Sequence, residues 1–220
     1  MKQLPSLAVL ISGKGRNLQA ILDACRDGRI AAEPALIVSS RPGAPGLELA
    51  QAFGVPTAVL DPVQYQSRED YDAALVTLLE RAQADLIALA GFMRILTPDF
   101  VRRYSGRLFN IHPSLLPRYR GLGTHAKVLA AGDLRHGASV HYVTDELDGG
   151  PVVLQGSSDV VSGDTVEKLA ERVMCEVEIR IYPRVLAWAA AGRLKLQAGK
   201  VVLDGRALDA PLQLEEMDEH

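Results

Sequence analysis

The chain has 220 residues, 48% of them hydrophobic, with 24 basic against 27 acidic side chains and a formal net charge of −3. That much apolar surface with so little net charge excludes disorder as the main state, and a slightly acidic balance without a long Lys/Arg run argues against a nucleic-acid partner. Cys25 and Cys175 form no CxxC pair, and no stretch of about 20 apolar residues is available to span a bilayer, so a cytoplasmic protein with no membrane partner is expected.

In chain order, Leu7–Ile11 (LAVLI) predicts a first strand. A helix follows from Asn17, where Leu18, Ile21, Leu22 and Cys25 recur at spacings of three and four. Ala35–Val38 predicts a second strand, Gly46–Phe53 a short helix and Thr57–Leu60 a third strand. Ser67 is placed to cap a helix over Arg68–Ala84. Asp85–Ala90 (DLIALA) is apolar on both faces, as an inner strand of a parallel sheet must be. A short helix ending at Tyr104 and a strand at Leu108–Ile111 continue the alternation. This order predicts an α/β fold, a Rossmann-like open and mostly parallel sheet with helices on both faces.

The C-terminal half changes pattern. Ala138–Val143 and Val152–Gln155 lie close enough to pair as an antiparallel addition to the sheet. Thr165 caps a long helix with the apolar line Val166, Leu169, Val173, Val177 and Ile181, expected to break or kink at Pro183. Residues 192–203 predict a hairpin turning at Gly199. A single domain over 1–212 is expected, with a nucleotide-binding half of about 1–105 and a second half of about 106–204. The acidic tail 213–220 is expected to be mobile.

Three segments carry chemistry. Ser12–Asn17 (SGKGRN) lies between a strand and a helix, where glycine amides and the helix N-terminus favour an anion, with Lys14 and Arg16 beside it. Its spacing is neither GxGxxG nor Walker A, so a phosphorylated small molecule fits better than NAD. In Phe109–Pro117 (FNIHPSLLP), Asn110 and His112 point to the same side at the carboxyl end of a strand. Pro113 keeps His112 extended, and the bond before Pro117 is a candidate cis peptide. Asp145–Pro151 (DELDGGP) reads on its own as a hairpin turn, yet a carboxylate brought beside His112 would favour the imidazolium. His125, His136 and His141 show no metal-ligand spacing, and His141 reads as a buried, hydrogen-bonded strand residue; no metal is expected.

Together SGKGRNLQAIL, GFMRILTPDFV, NIHPSLLPRYRGLGTH and HGASVHYVTDELDGGPVVLQ resemble the folate-dependent formyltransferases, in the branch that acts on glycinamide ribonucleotide in purine synthesis. The likeness runs from Leu7 to about Gly192. It implies 10-formyltetrahydrofolate as co-substrate, small-molecule partners only, and a monomer or homodimer. The 106–204 half would be the folate and catalytic half, with Asn110, His112 and Asp148 as the catalytic trio. Gly15, Arg16, Asn17 and Glu178 match residues that bind the ribonucleotide. Arg68, Met93, Arg94, Ile95, Leu96, Asn110, Thr144, Asp145, Glu146, Leu147 and Asp148 match the folate site. Lys14 and Arg16 depart from the family's usual SGNGSN. Gly123 stands where a histidine is common, and a lysine of some relatives falls on Met174 or Cys175, a loss that Lys14 or Arg16 would offset. The alternatives are a related formyltransferase, a formyltetrahydrofolate hydrolase, or a non-catalytic nucleotide-sensing module on the same fold. The hydrolase and tRNA-directed relatives carry an extra domain, for which this length leaves no room.

Overall fold

In the computed structural model, which describes residues 4–218, each strand of the parallel region is followed by a helix that packs back on the sheet. The order is β1 (Ser6–Ile11), α1 (Arg16–Arg26), β2 (Glu33–Ser39), α2 (Pro45–Ala52), β3 (Thr57–Val59), α3 (Arg68–Arg81), β4 (Leu86–Leu89), α4 (Pro98–Arg103) and β5 (Leu108–His112). Then come α5 (Thr124–Ala131), β6 (Arg135–Tyr142), β7 (Val152–Asp159), α6 (Val166–Val173) and α7 (Ile179–Ala190). The chain closes with β8 (Leu194–Gln197), β9 (Lys200–Leu203), β10 (Arg206–Ala207), β11 (Leu212–Gln213) and α8 (Leu214–Asp218). The eight-stranded sheet runs β11-β7-β6-β5-β4-β1-β2-β3, and β8–β10 form a separate antiparallel sheet.

β1 through β5 pair in parallel, while β6 is antiparallel to both β5 and β7. From β1 the chain first moves to β2 and β3, and later crosses to β4 and β5. The switch point therefore lies between β1 and β4, where open α/β sheets place their ligands. The period-two geometry of β1 explains its unbroken apolar run: Leu7, Val9 and Ile11 bury against α1 and α7, and Ala8 and Leu10 against α3 and α4. The Rossmann-like fold with an antiparallel C-terminal addition is as expected.

Ser67 caps α3, its Oγ accepting from Asp70 N–H at 3.0 Å. The Leu116–Pro117 peptide is cis. The β8–β9 hairpin turns at Ala198-Gly199, both at positive φ, the geometry a tight two-residue turn requires. Three features differ from expectation. Residues 166–190 run on through Pro183, and the irregularity sits earlier, in a π turn at Met174–Glu178. Pro183, Ile181, Tyr182, Val185 and Leu186 are all buried, so packing holds the helix where propensity alone would break it. Helix α5 was not foreseen, although Gly123 and Gly132 bracket it in left-handed conformation. Finally, the segment from Gln213 is not a free tail: Leu212 and Gln213 pair with β7, and Leu214, the first residue of α8, is buried in the main core. Residues 219–220 of that tail lie outside the described residues. No helix among the described residues is long and apolar enough to cross a membrane.

Candidate active site

Three loops meet at the carboxyl ends of β1, β4 and β5. The β1 loop opens α1 with Gly15 at φ 81, and a Cβ there would stand 2.9 Å from the Gly46 backbone, so the close approach of α1 and α2 admits only glycine. Ser12 joins this loop to the next one: its Oγ accepts from Met93 N–H at 2.9 Å and contacts Ser40 Oγ at 2.6 Å. Arg94 lies over the Tyr71 ring, and Arg68 Nη2 donates to Leu96 O at 3.3 Å, which holds the 91–96 segment against α3.

The antiparallel register of β5 and β6 sets Asn110 opposite His141. Asn110 Nδ2 and His141 Nε2 are 3.1 Å apart, and His141 Nδ1 is 2.8 Å from Tyr142 O. Burial pushes the His141 imidazole below its ordinary range, with the Tyr142 carbonyl and Asp148 opposing that shift. A neutral ring that gives its Nδ1 proton to Tyr142 leaves Nε2 bare to accept from Asn110. The amide is thereby oriented, and its second N–H stays available.

His112 is buried, and both of its ring nitrogens have partners. Nε2 is 2.9 Å from the Tyr119 carbonyl, and Nδ1 is 3.4 Å from Asp148 Oδ2. Both partners are acceptors. Asp148 sits at φ 48, its Oδ2 accepting from Gly121 N–H at 2.9 Å and its Oδ1 3.8 Å from His141 Nε2. The connection from β6 to β7 turns back so tightly that a Cβ on Gly150 would fall 1.8 Å from Tyr142 O. The DELDGGP segment is thus both the hairpin connection and the wall that brings Asp148 to His112.

These groups border a cleft of about 130 Å³. Its walls include Arg94, Ile95, Leu96, Asn110 and all of Thr144–Asp148, together with His141 and the apolar Leu89, Phe92, Val101 and Val143. His112 contacts the wall residue Asp148 but does not itself line the cleft. Nor do Met93 or Arg68: Met93 is exposed at the edge, and Arg68 braces the Leu96 carbonyl. Two of these wall residues are in ion pairs, Asp145 with Arg102 at 3.2 Å and Glu146 with Arg120.

The loop of β1 carries a second group of contacts. Asn17 Nδ2 donates to Glu178 Oε2 at 2.7 Å, and Asn17 Oδ1 is buried without a partner. Arg16 pairs with Glu171, and its Nη2 is 3.0 Å from Cys175 Sγ. Burial pushes the Glu178 carboxyl above its ordinary value, and the Asn17 donor and Arg16 charge offset only part of that. The folded state therefore holds this proton more tightly than the unfolded chain, and the ionised carboxylate is a cost at neutral pH. Glu178→Gln is expected to raise stability there by about 1 kcal/mol, or about 2–4 °C for a chain of this size. The gain should be full above the raised pKa and vanish as pH falls into the ordinary carboxylate range, which thermal unfolding across pH will show.

The family resemblance implies Asn110, His112 and Asp148 as one trio, and Asn110 and Asp148 border one cleft with His112 Nδ1 3.4 Å from Asp148 Oδ2. The approach of Arg16 to Cys175 agrees with the expected offset of the lost lysine, whereas nothing in the sequence marks the Asn110–His141 bond, the Tyr119 carbonyl at His112 or the Arg16–Glu171 pair. The first is a cross-strand pairing that only register reveals. The other two join segments with no shared spacing.

The formyl transferase family model matches residues 6–186. The phosphoribosylglycinamide formyltransferase of Escherichia coli is 49% identical over 203 residues, which is 92% of this chain and 95% of the relative. That of Haemophilus influenzae is 43% identical, over 93% and 96%. Among solved structures, the phosphoribosylglycinamide formyltransferase of Coxiella burnetii in complex with CHES superposes with a TM-score of 0.90 at 46% identity, covering 96% of this chain and 99% of that one.

Proposed function

This chain belongs to the formyl transferase family, and we propose that it transfers a formyl group from 10-formyltetrahydrofolate to the amine of glycinamide ribonucleotide in purine biosynthesis. The observation that carries this reading is the single 2.9 Å bond from Met93 N–H to Ser12 Oγ, which fastens the cleft beside Asn110 to the glycine loop that opens α1. A donor site and an acceptor site thus share one seam of the sheet.

The cleft suits a folate: apolar walls from Leu89, Phe92, Leu96, Val101 and Val143 accept a flat ring, and the 143–148 backbone offers polar edges. Bound formyl folate supplies the electrophilic one-carbon unit. The chain supplies the rest. Asn110, held by His141, presents an N–H to the oxygen on which charge develops, a contribution worth about 3 kcal/mol in a water-poor site. Asp148 and His112 act as a pair, with Asp148 on the cleft and His112 Nδ1 in contact with it. Between them they take a proton from the attacking amine and return one to the departing nitrogen. Gly15, Asn17 and the α1 N-terminus receive the phosphorylated substrate, with Lys14 and Arg16 as cations. Arg16 reaches Cys175, one of the two positions at which the resemblance implies a lysine in some relatives, and so brings a charge there from the loop.

Spectroscopic measurement of folate deformylation, with and without glycinamide ribonucleotide, tests the reading. Turnover that depends on the ribonucleotide and yields its N-formyl product is expected. Formate release independent of it would make the protein a hydrolase, and binding of both without turnover would make it a sensor.

A further inference from the structure

We propose that Tyr119 is a positioning residue for His112 and Asp148, anchored by its phenol on Asp133. The inference rests on the proposed role of those two groups in proton transfer. The short turn Tyr119-Arg120-Gly121 touches both. The His112 Nε2–H donates to the Tyr119 carbonyl at 2.9 Å, and the N–H of Gly121 donates to Asp148 Oδ2 at 2.9 Å. One turn thus sets the orientation of the imidazole and of the carboxylate that face each other at 3.4 Å.

Something must hold that turn, because Tyr119 lies at φ 56, a left-handed conformation that a bulky residue adopts only when its surroundings impose it. The first half of the loop is tied to the sheet: Ser139 Oγ donates to Ser114 O at 2.7 Å, Gln155 Nε2 to Leu116 O at 2.9 Å, and Ser114 Oγ to Arg118 O at 2.7 Å. The second half is held by the Tyr119 side chain, beside Lys127 Nζ donating to Arg120 O at 3.3 Å and the Arg120–Glu146 ion pair. The Tyr119 hydroxyl donates to Asp133 Oδ2 at 2.7 Å, and Arg118 Nη2 donates to the phenol oxygen at 2.9 Å and to Asp133 Oδ1 at 3.0 Å. Asp133 directly follows Gly132 at the end of α5, and its own N–H returns to Val128 O at 3.3 Å, so the anchor is part of a helix terminus. The Tyr119–Asp133 bond holds the carboxyl below its ordinary range and pushes the phenol above its own, so donor and acceptor keep their forms across neutral pH.

The test is Tyr119→Phe, with Asp133→Ala and Asp133→Asn beside it. Because the Ser139 and Gln155 ties remain, these variants are expected to fold, with the cleft and the glycine loop unchanged. For Tyr119→Phe and Asp133→Ala, kcat should fall about 10-fold while the KM of each substrate stays within about twofold. Asp133→Asn keeps an acceptor for the phenol and should recover most of that loss. The double variant should be no worse than either single one. An unchanged kcat in Tyr119→Phe, a rise in both KM values to match the loss, or an Asp133→Asn as slow as Asp133→Ala would overturn the proposal. The 15N and 1H shifts of the His112 ring in the free protein give a second readout that needs no turnover. They should move in Tyr119→Phe, and unchanged shifts would refute the positioning role. An inactive wild-type protein with shifted ring signals would instead count against the proposed function alone.

Discussion

Replacing His112 with Ala is expected to lower kcat for formyl transfer about 1,000-fold while leaving both KM values near those of the parent enzyme. The split follows from position. His112 is not among the walls of the cleft and touches Tyr119 and Asp148, so on the proposed mechanism its loss removes a proton carrier and leaves the folate walls in place. Asp148 would then stand with no partner on its Oδ2 side but Gly121 N–H. Stopped-flow measurement of the chemical step, with direct quantification of the formylated ribonucleotide, separates the loss from any change in product release. If KM for folate rose in proportion to the fall in kcat, the ring would be a binding group and the pairing with Asp148 incidental. Near-normal kcat would remove His112 from the mechanism altogether.

The fold was legible because its signals are local. LAVLI and DLIALA are apolar on both faces, and inner parallel strands leave no other pattern. Asn110 and His112 were legible for the same reason, two residues apart at a strand end with Pro113 behind them. What could not be read is whatever depends on register or on a turn with no composition of its own. Asn110 meets His141 because β5 and β6 pair antiparallel, and nothing within either strand records that pairing.

The π turn left a fainter mark. From Leu169 to Ile181 the apolar line steps by four residues each time, slower than the 3.6 of an α-helix, and the wide turn at Met174–Glu178 takes up that slack. It also carries Glu178 to Asn17, on the loop proposed to receive the ribonucleotide. Propensity suggested a break at Pro183, but Tyr182 next to it is wholly buried, its hydroxyl donating to Leu89 O and Phe109 O on β4 and β5. A helix pinned to the sheet at that point does not end there.

Asp148→Asn should cost about 100- to 1,000-fold in kcat, the second-largest effect, through charge and not through shape. Asparagine tolerates the left-handed backbone at φ 48 as well as aspartate does, and its side-chain oxygen can still accept from Gly121 N–H. The 143–151 connection should therefore stay closed and the melting temperature nearly unchanged. What disappears is the negative charge 3.4 Å from His112 Nδ1. The oxygen that keeps the Gly121 bond is the same atom that faces His112 Nδ1, so the ring retains an acceptor, but a neutral amide oxygen that can neither take the imidazole proton nor stabilise it as a carboxylate does. Asp148→Ala makes the comparison quantitative. It removes the charge, the Gly121 acceptor and the tolerance for positive φ together, so it should lose stability, about 1 kcal/mol from the backbone alone, and raise KM for folate as the cleft wall loosens. An Asp148→Asn enzyme with parental kcat would show that the carboxylate acts only as a brace for Gly121. An Asn variant that matched the Ala variant in kcat, KM and melting temperature alike would show that loop closure, not charge, is what Asp148 contributes.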